Sequence, residues 1–308
     1  MEEQQKSKSG NPAQPLIDLK PTKEFFIGVD SDGCVFDSME IKQKECFTPN
    51  SIKHFGLQAV SKYAREALEF VNLYSKWRGS NRFPALIRGL ELLARRPEVR
   101  ARGFSVPRLS ALSEWLAHEP APGNPSLEAA AHATDGEKGD QLRRVLDWSK
   151  AVNRAIADMV QGIPPFPYVR EFLEQASGRA DMIVVSATPG EALAREWVEH
   201  DLARYMAAIA GQEMGKKADH MRLAAAGKYP PEKILMIGDA QGDMDAARAN
   251  HALFYPIMPG DEDRSWKRLC YEALDVFFSG KYQGAYENRL VEEFVAALPA
   301  TPPWPLVE

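Results

Sequence analysis

Three apolar segments of this chain each end in a polar cluster, and this arrangement restricts the fold more than any other feature. The segments are Phe25–Val29, Met182–Val185 and Ile234–Ile237, and the clusters that follow them are Asp30-Ser31-Asp32-Gly33, Ser186 and Gly238-Asp239-Ala240-Gln241-Gly242-Asp243. Short apolar segments bounded by turn residues predict buried strands of a parallel sheet. Ligands bind outside the carboxyl ends of such strands. We therefore expect one site that gathers four carboxylates, a hydroxyl and a lysine.

Strand and helix patterns alternate through residues 163–262. Met206–Ala210 and Ala252–Ile257 are predicted as further strands, and helical patterns lie between the strands. This alternation predicts an α/β fold with a Rossmann-like parallel sheet and right-handed crossovers. Pro256 has no N–H to donate to a neighbouring strand, so the last strand is expected at or near an edge of the sheet.

Residues 41–162 show a helical pattern instead. Apolar residues recur at helical spacing over 63–77, 83–93 and 142–156, while the stretch 119–139, rich in Pro, Gly and Ala, is predicted to be an exposed loop. The region holds 19 Lys and Arg against 13 Asp and Glu, so it is basic although the whole chain is acidic. We interpret it as a large helical cap domain, whose charge forms either a solvated basic surface or a lid over an anionic substrate.

These patterns predict the domain organisation. Residues 1–22 are polar and contain Pro and Gly, so they are expected to be disordered. Residues 23–40 and 163–262 form the core, and residues 41–162 form the cap. Residues 263–308 form a C-terminal helical extension, and its end, 298–308, is expected to trail off loosely because it contains four prolines.

Composition argues against several functional classes. The chain has 308 residues and a net charge of −5, and no apolar segment approaches the roughly 20 residues of a membrane span. No basic run is interleaved with aromatic residues, so no nucleic-acid partner is predicted. The N-terminus lacks the apolar part of a secretion signal, and three cysteines do not make a disulfide framework. We expect a cytoplasmic protein with no membrane partner.

The order and spelling of the polar clusters resemble the haloacid dehalogenase-like (HAD) hydrolase superfamily. Asp30-Ser31-Asp32-Gly33 is similar to its first motif, D-x-D-G, and Ser186 to its second. Lys216 or Lys217 supplies the third motif, and Gly238–Asp243 matches the fourth, G-D-x-x-x-D. The resemblance implies a Rossmann-like core, and it covers neither the helical middle region nor the C-terminal extension.

Two further positions refine the resemblance. Asp37-Ser38 is similar to the branch of the superfamily in which a helical cap is inserted just after the first motif. The chain departs from the common pattern at Cys34, where Thr usually stands. We interpret Cys34 as a packing residue, because its neighbours are carboxylates, which raise the pKa of a thiol and make it a poorer nucleophile.

The resemblance implies roles for the aspartates. Asp30 would attack phosphorus and become an aspartyl-phosphate, and Asp32 would protonate the leaving group and later activate water. Mg²⁺ would be held by the Asp30 carboxylate, the Asp32 backbone carbonyl and the Asp239 carboxylate. Asp243 would lie on the metal directly or behind its ligands, and it could also cap the helix that begins beside it.

Ser186 and a lysine would bind the phosphate of the substrate, the serine as a hydrogen-bond donor and the lysine as a point charge. Lys217 is preferred because Lys217-Ala218-Asp219 resembles the spacing of the family into the following helix, with Lys216 close behind. Thr188 is an alternative for the second-motif hydroxyl, although Ser186 directly follows the apolar segment.

The function implied is a Mg²⁺-dependent phosphomonoester hydrolase that acts on a small phosphorylated metabolite. A phosphomutase or a phosphonate hydrolase on the same scaffold is the enzymatic alternative, and a non-catalytic module that binds a phospho-ligand is the alternative from another class. In this fold the cap selects the substrate. Arg78, Asn81 and Arg82 are candidates for contacting a distal anion, although charged loop residues are more often simply exposed.

Overall fold

The computed structural model describes residues 10–307. Residues 1–9, part of the segment predicted to be disordered, lie outside the described residues, as does Glu308. The chain divides into two compact units. The core unit comprises the described residues up to Phe36 together with Pro164–Phe294, and the helical unit comprises Asp37–Ile163 and the described residues from Val295 onward. The predicted C-terminal extension, 263–308, is therefore divided between the two units.

The core unit is built on one five-stranded parallel sheet. Its strands are β1 (Phe25–Val29), β2 (Ala180–Val185), β3 (Ala208–Ala210), β4 (Ile234–Gly238) and β5 (Leu253–Pro256). All residues of β1, β2, β4 and β5 are buried, because both faces of a parallel sheet are covered by its crossover helices. The predicted α/β fold is confirmed, and β5 lies at an edge of the sheet as expected from Pro256.

The strand order is β3-β2-β1-β4-β5. The strands β2 and β3 therefore lie on one side of β1, and the later strands β4 and β5 lie on the other. The order reverses between β1 and β4, where Val29 pairs with Ile237. Crossovers leaving in opposite directions open a crevice at the carboxyl ends of two such strands. Asp30 and Asp239 each follow one of these strands directly, so the topology itself brings them together.

Sixteen α-helices accompany the strands in the described part of the chain. They are α1 (Gln14–Ile17), α2 (Ser38–Ile41), α3 (Thr48–His54), α4 (Ser61–Leu73), α5 (Arg82–Ala94), α6 (Pro97–Ala101), α7 (Ser110–Leu116), α8 (Asn124–Ala133), α9 (Gly136–Met159), α10 (Val169–Ser177), α11 (Gly190–Glu199), α12 (Lys217–Ala224), α13 (Gln241–Ala249), α14 (Glu262–Arg268), α15 (Leu274–Phe278) and α16 (Ala285–Ala297). Short π-helical segments, Lys42–Phe47 and Leu269–Ala273, connect α2 to α3 and α14 to α15. None of these helices is long and apolar enough to cross a membrane.

The helical unit has its own apolar core. The three predicted apolar stripes correspond to α4, α5 and α9. Trp148 of α9 is buried, and its indole Nε1 donates to the Ser51 hydroxyl (3.0 Å).

The expectation of a loop over 119–139 is wrong in part, because α8 lies within it. Leu127 and Ala131, four residues apart, bury one face of α8. Pro125 lies in the first turn of α8, where its missing N–H costs nothing.

The end of the chain is more ordered than expected. Residues 298–307 lie on the helical unit, where the indole ring of Trp304 is 4.4 Å from the guanidinium carbon of Arg96 and 5.4 Å from the ring of Phe70. The backbone N–H of Val307 donates to the carbonyl oxygen of Arg95 (2.8 Å). The prolines do not prevent this packing, because stacking of an aromatic ring requires no backbone N–H from its neighbours.

The start of the described chain also packs on its unit. Leu16 in α1 is fully buried, and the Lys228 ammonium donates to the carbonyl oxygens of Leu16 (2.8 Å) and Ile17 (2.9 Å). The Thr22 backbone N–H donates to the Asp181 carboxylate (2.8 Å). The expectation of disorder is therefore wrong for residues 10–22. Two buried apolar side chains, Ala13 and Leu16, and a few polar contacts with distant residues order this segment, and composition alone does not reveal them.

Two adjacent residues of α1 provide a test of this order. We expect Leu16→Ala to lower the free energy of unfolding by about 2–5 kcal/mol, because it leaves a cavity beneath a fully buried side chain. Ile17 is 40% exposed, so Ile17→Ala should change the free energy of unfolding by no more than about 0.5 kcal/mol. Urea unfolding of both variants measures the difference, and equal effects would show that α1 does not pack as described.

Candidate active site

Acidic and polar side chains gather at the carboxyl edge of the sheet in the core unit. Asp30 follows β1, Ser186 follows β2 and Asp239 follows β4. All three are buried, with at most 3% of each residue exposed. The Asp30 backbone N–H donates to the carbonyl oxygen of Ile237 (3.0 Å), so ladder bonding continues one residue past the end of β1 and fixes the position of Asp30.

Three carboxylates form an acidic cluster with one lysine. Carboxylate oxygens of Asp30, Asp239 and Asp243 all lie within 4.8 Å of one another. The Lys217 ammonium is 2.9 Å from Asp30 Oδ1 and 2.7 Å from Asp243 Oδ1. Lys217 is the first residue of α12, whereas Lys216 precedes the helix, is exposed and contacts Asp219 through its backbone N–H (3.2 Å). The structure therefore brings Lys217, and not Lys216, to the carboxylates.

The two carboxylate oxygens of Asp243 have different partners. Its Oδ2 atom accepts from the backbone N–H of Ala240 (3.1 Å), which closes the first turn of α13, while its Oδ1 atom faces Lys217. This contact leaves no room for a side chain at Gly238. A Cβ atom there would lie 2.3 Å from the Asp243 Cβ and Cγ atoms. Glycine at the end of β4 is thus a steric requirement of the acidic cluster.

Asp32 lies in a tight loop after β1 and has a different partner. The Asp32 Oδ2 atom accepts from the Thr188 hydroxyl (2.8 Å). The loop turns at Gly33, whose φ is +76°, and the Ser31 carbonyl oxygen accepts from the backbone N–H groups of Val35 (2.9 Å) and Phe36 (3.1 Å). The Asp32 carboxylate is therefore oriented by Thr188.

The loop after β2 supplies two hydroxyls. The Ser186 hydroxyl oxygen accepts from the backbone N–H of Thr188 (3.2 Å), and the Ser186 N–H donates to the carbonyl oxygen of Ala210 in β3 (3.0 Å). The sequence offers Ser186, and as an alternative Thr188, for a single hydroxyl position. In the structure they act together, because Ser186 positions the backbone of Thr188 and Thr188 bonds Asp32.

Two buried residues support the loop after β1 and were not among the predicted site residues. The Trp197 indole Nε1 donates to the Ser31 hydroxyl (3.0 Å) from α11, and the Trp266 indole Nε1 donates to the Cys34 carbonyl oxygen (2.8 Å) from α14. No motif marks either tryptophan, since each is far from the loop in sequence. Burial, and next to it the Asp30 carboxylate, raises the pKa of the Cys34 thiol well above its ordinary value, so this thiol packs and is not a nucleophile.

The charges of the cluster are strongly coupled. Burial, followed by the nearby Asp243 carboxylate, raises the pKa of Asp30 well above its ordinary value, and Lys217 only partly offsets this. Burial also raises the pKa of Asp243. Burial would lower the pKa of Lys217, but the carboxylates of Asp243 and Asp30 outweigh it and raise the pKa. Lys217 is therefore a permanent cation, and its single charge does not balance three carboxylates.

This donor set fits a divalent cation. Buried carboxylate oxygens are hard ligands of the kind that Mg²⁺ prefers, and their spacing is compatible with one shared ion. A cation of charge +2 would also remove the repulsion that favours protonation of Asp30 and Asp243. The residues present therefore fit the metal that the sequence motifs imply.

Comparisons with known proteins found similar solved structures. No family model matches the chain, and a search of curated proteins found no match. A haloacid dehalogenase-like family hydrolase from Xanthomonas campestris is similar at 10% identity and a TM-score of 0.44, covering 87% of this chain and 98% of that one. A haloacid dehalogenase-like family protein from Streptococcus pneumoniae is similar at 14% identity and a TM-score of 0.42, covering 80% and 92%. A predicted phosphatase from Clostridium acetobutylicum is similar at 16% identity and a TM-score of 0.40, covering 81% and 92%.

These solved structures include members of the superfamily that the sequence motifs resemble. Their TM-scores are all below 0.5.

Two glycines beside the cluster provide a test of its packing. Gly238→Ala should displace the Asp243 carboxylate and lower the free energy of unfolding by about 1–3 kcal/mol, because a Cβ atom has no space there. Gly242 has nothing within 4 Å of its Cβ position. Because it lies in α13, Gly242→Ala should leave stability unchanged or raise it by up to about 1 kcal/mol. Urea unfolding and a crystal structure of Gly238→Ala check both effects, and a stable Gly238→Ala protein with Asp243 in place would contradict the contact.

Proposed function

We propose that the chain is a Mg²⁺-dependent phosphomonoester hydrolase of the HAD-like kind, acting on a small phosphorylated metabolite through an aspartyl-phosphate intermediate. The observation that carries the proposal is the cluster in which Lys217 contacts both Asp30 and Asp243, with Asp239 alongside, at the switch point of a parallel sheet. A buried cluster of this charge has no evident structural purpose, because hydrophobic residues would stabilise the core better.

In the first step, a carboxylate oxygen of Asp30 attacks the phosphorus atom. A bond forms between Asp30 and phosphorus, and the bond from phosphorus to the ester oxygen of the substrate breaks. Asp32 gives a proton to that oxygen, so the alcohol leaves neutral. The hydrogen bond from Thr188 to Asp32 Oδ2 (2.8 Å) supports this role, because it orients the Asp32 carboxylate.

In the second step, a water molecule attacks the phosphorus of the aspartyl-phosphate. Asp32, now ionised, takes a proton from the water as the new bond forms. The bond between Asp30 and phosphorus breaks, which releases inorganic phosphate and restores the carboxylate. The same carboxyl group therefore serves as acid and then as base, so no second acid/base residue is required.

The metal would be held by the carboxylates of Asp30 and Asp239 and by the backbone carbonyl of Asp32, with Asp243 on the metal or behind its ligands. Mg²⁺ would supply positive charge to the phosphate oxygens. Lys217 and Ser186 would bind the remaining phosphate oxygens, Lys217 by its charge and Ser186 by its hydroxyl. Lys217 would also orient Asp30 through its 2.9 Å contact, and its charge together with that of Mg²⁺ would favour the ionised form of Asp30.

The nucleophile is tested by Asp30→Asn. We expect loss of hydrolysis of an aryl phosphate by at least about 10³-fold, because an amide is a far weaker nucleophile of nearly the same shape. Removing one buried negative charge should leave the melting temperature in chelator unchanged or higher. Asp245→Asn is the matched control, since Asp245 is exposed on α13 and, among residues 10–307, is bonded only to Gln241. Near-normal hydrolysis by Asp30→Asn would rule out the covalent mechanism.

The metal is tested by chelation and by Asp239→Ala. Activity should vanish in excess chelator and return with added Mg²⁺, and Asp239→Ala should need at least about tenfold more Mg²⁺, because a site with few protein ligands loses one of them. Calorimetric titration of each protein with Mg²⁺ measures binding without turnover, and Asp245→Ala should bind as the unaltered protein does. Full activity in chelator would refute the metal assignment.

A further inference from the structure

Two arginines of the helical unit that are withdrawn from solvent, Arg96 and Arg88, have carboxylate partners. Arg96 is buried and forms ion pairs with Glu66 and Glu98. Arg88 is half-buried, and its Nη1 atom lies 3.2 Å from Glu91 Oε2. A guanidinium withdrawn from water normally has such a carboxylate beside it, because an unpaired buried charge is costly. Arg82, at the start of α5, does not follow this pattern.

Arg82 is held by neutral groups alone. Its Nη1 atom donates to the Ser149 hydroxyl (3.0 Å), to the Ser149 carbonyl oxygen (3.3 Å) and to Asn153 Oδ1 (2.6 Å). Its guanidinium carbon lies 5.1 Å from the centre of the Phe47 ring. In residues 10–307, no carboxylate lies within 4.0 Å of this guanidinium, and its Nε and Nη2 atoms donate to no acceptor.

The position of this guanidinium is fixed in advance of any ligand. Ser149 is fully buried, and its hydroxyl donates to Asn124 Oδ1 (2.6 Å), so its oxygen is free to accept from Arg82. Asn81, the residue before Arg82, caps α5 by accepting from the Phe83 N–H (3.0 Å). These bonds hold Arg82 through one nitrogen atom and leave the edge formed by Nε and Nη2 for another partner.

The charge of this site is uncompensated. Burial lowers the pKa of Arg82 to about 10, and no nearby carboxylate opposes that effect. The side chain remains a cation at neutral pH. The amino end of α5, where Arg82 lies, adds the positive end of a helix dipole. The region 41–162 around it is basic, with 19 Lys and Arg against 13 Asp and Glu.

We propose that Arg82, positioned by Ser149 and Asn153, binds the oxyanion of a small molecule, either a carboxylate or a phosphate group. The Nε–H and Nη2–H bonds of a guanidinium point in parallel from one edge, which matches two oxygens of such a group. The bound oxyanion supplies the counter-charge that Arg88 and Arg96 receive from glutamates. This site goes beyond the proposed hydrolysis, and its existence does not depend on any chemistry at Asp30.

Nuclear magnetic resonance of the full chain tests the site directly. Protein labelled with ¹⁵N gives one Nε–Hε signal for each observable arginine, and the signal that Arg82→Lys removes belongs to Arg82. The probes are inorganic phosphate and malonate, each added in chelator, with sodium chloride at matched ionic strength as the reference. Chelator prevents the proposed hydrolysis, so failure of this site and failure of the proposed function are distinguishable.

A saturable shift of the Arg82 signal is expected with phosphate, malonate or both, and the more effective probe identifies the preferred oxyanion. The Arg88 signal is the internal control, because Arg88 already has Glu91. In calorimetric titrations with that probe, Arg82→Gln should bind at least about tenfold more weakly, and Arg88→Gln as the unaltered protein does. Arg82→Lys should fall between them, because an ammonium keeps the charge but lacks the two parallel donors.

The proposal is overturned if the Arg82 signal moves with phosphate and malonate only as it does with sodium chloride. It is also overturned if the Arg88 signal shows the same saturable shift, since binding would then be unspecific. The shift of the Arg82 signal in the unaltered protein tests the oxyanion site even if Arg82→Gln does not fold.

Discussion

The burial of like charges at the switch point of the sheet is the constraint on which the site depends. Asp30, Asp239 and Asp243 lie together, and Lys217 supplies one positive charge among them. Such a cluster persists only where the surrounding fold fixes each carboxylate. The ladder bond of Asp30, the capping bond of Asp243 and the missing side chain of Gly238 each meet this need. The stability of the sheet holds the charges in place, and a bound cation would relieve their repulsion.

The loop after β1 shows how remote packing determines chemistry. Asp32 is directed by Thr188 from the next strand's loop, while Trp197 and Trp266 hold the backbone around it from two different helices. Indole N–H groups that are buried need acceptors, and here the acceptors are atoms of the loop after β1. The proposed acid/base group is therefore positioned by core residues that do no chemistry, which is why large apolar side chains lie so near a highly charged site.

In the helical unit, too, arginines that are withdrawn from solvent need partners for their charge. Its core is apolar and independent of the sheet, and the tail of the chain completes it by placing Trp304 on Arg96. Arg96 and Arg88 are paired with glutamates, whereas Arg82 is held by a hydroxyl, an amide and a carbonyl. Arg82 thus differs from Arg88 and Arg96 in having no carboxylate partner among residues 10–307, which suits it to receive an anion.

The sequence by itself determined the α/β class, the edge position of β5, and the strand ends from which Asp30, Ser186 and Asp239 project, because these depend on local apolar patterning and turn residues. It favoured Lys217 over the adjacent Lys216 only through the spacing of a family motif, since the position of each residue relative to the start of α12 decides which ammonium reaches the carboxylates. It also missed the order of residues 10–22, α8 and the tail, where proline and glycine suggested loops. In each case distant partners, such as Lys228 for α1 and Arg96 for Trp304, stabilise a segment whose composition favours disorder. Only the tertiary structure decided these points, because long-range contacts outweigh local propensity wherever an apolar side chain finds a buried position.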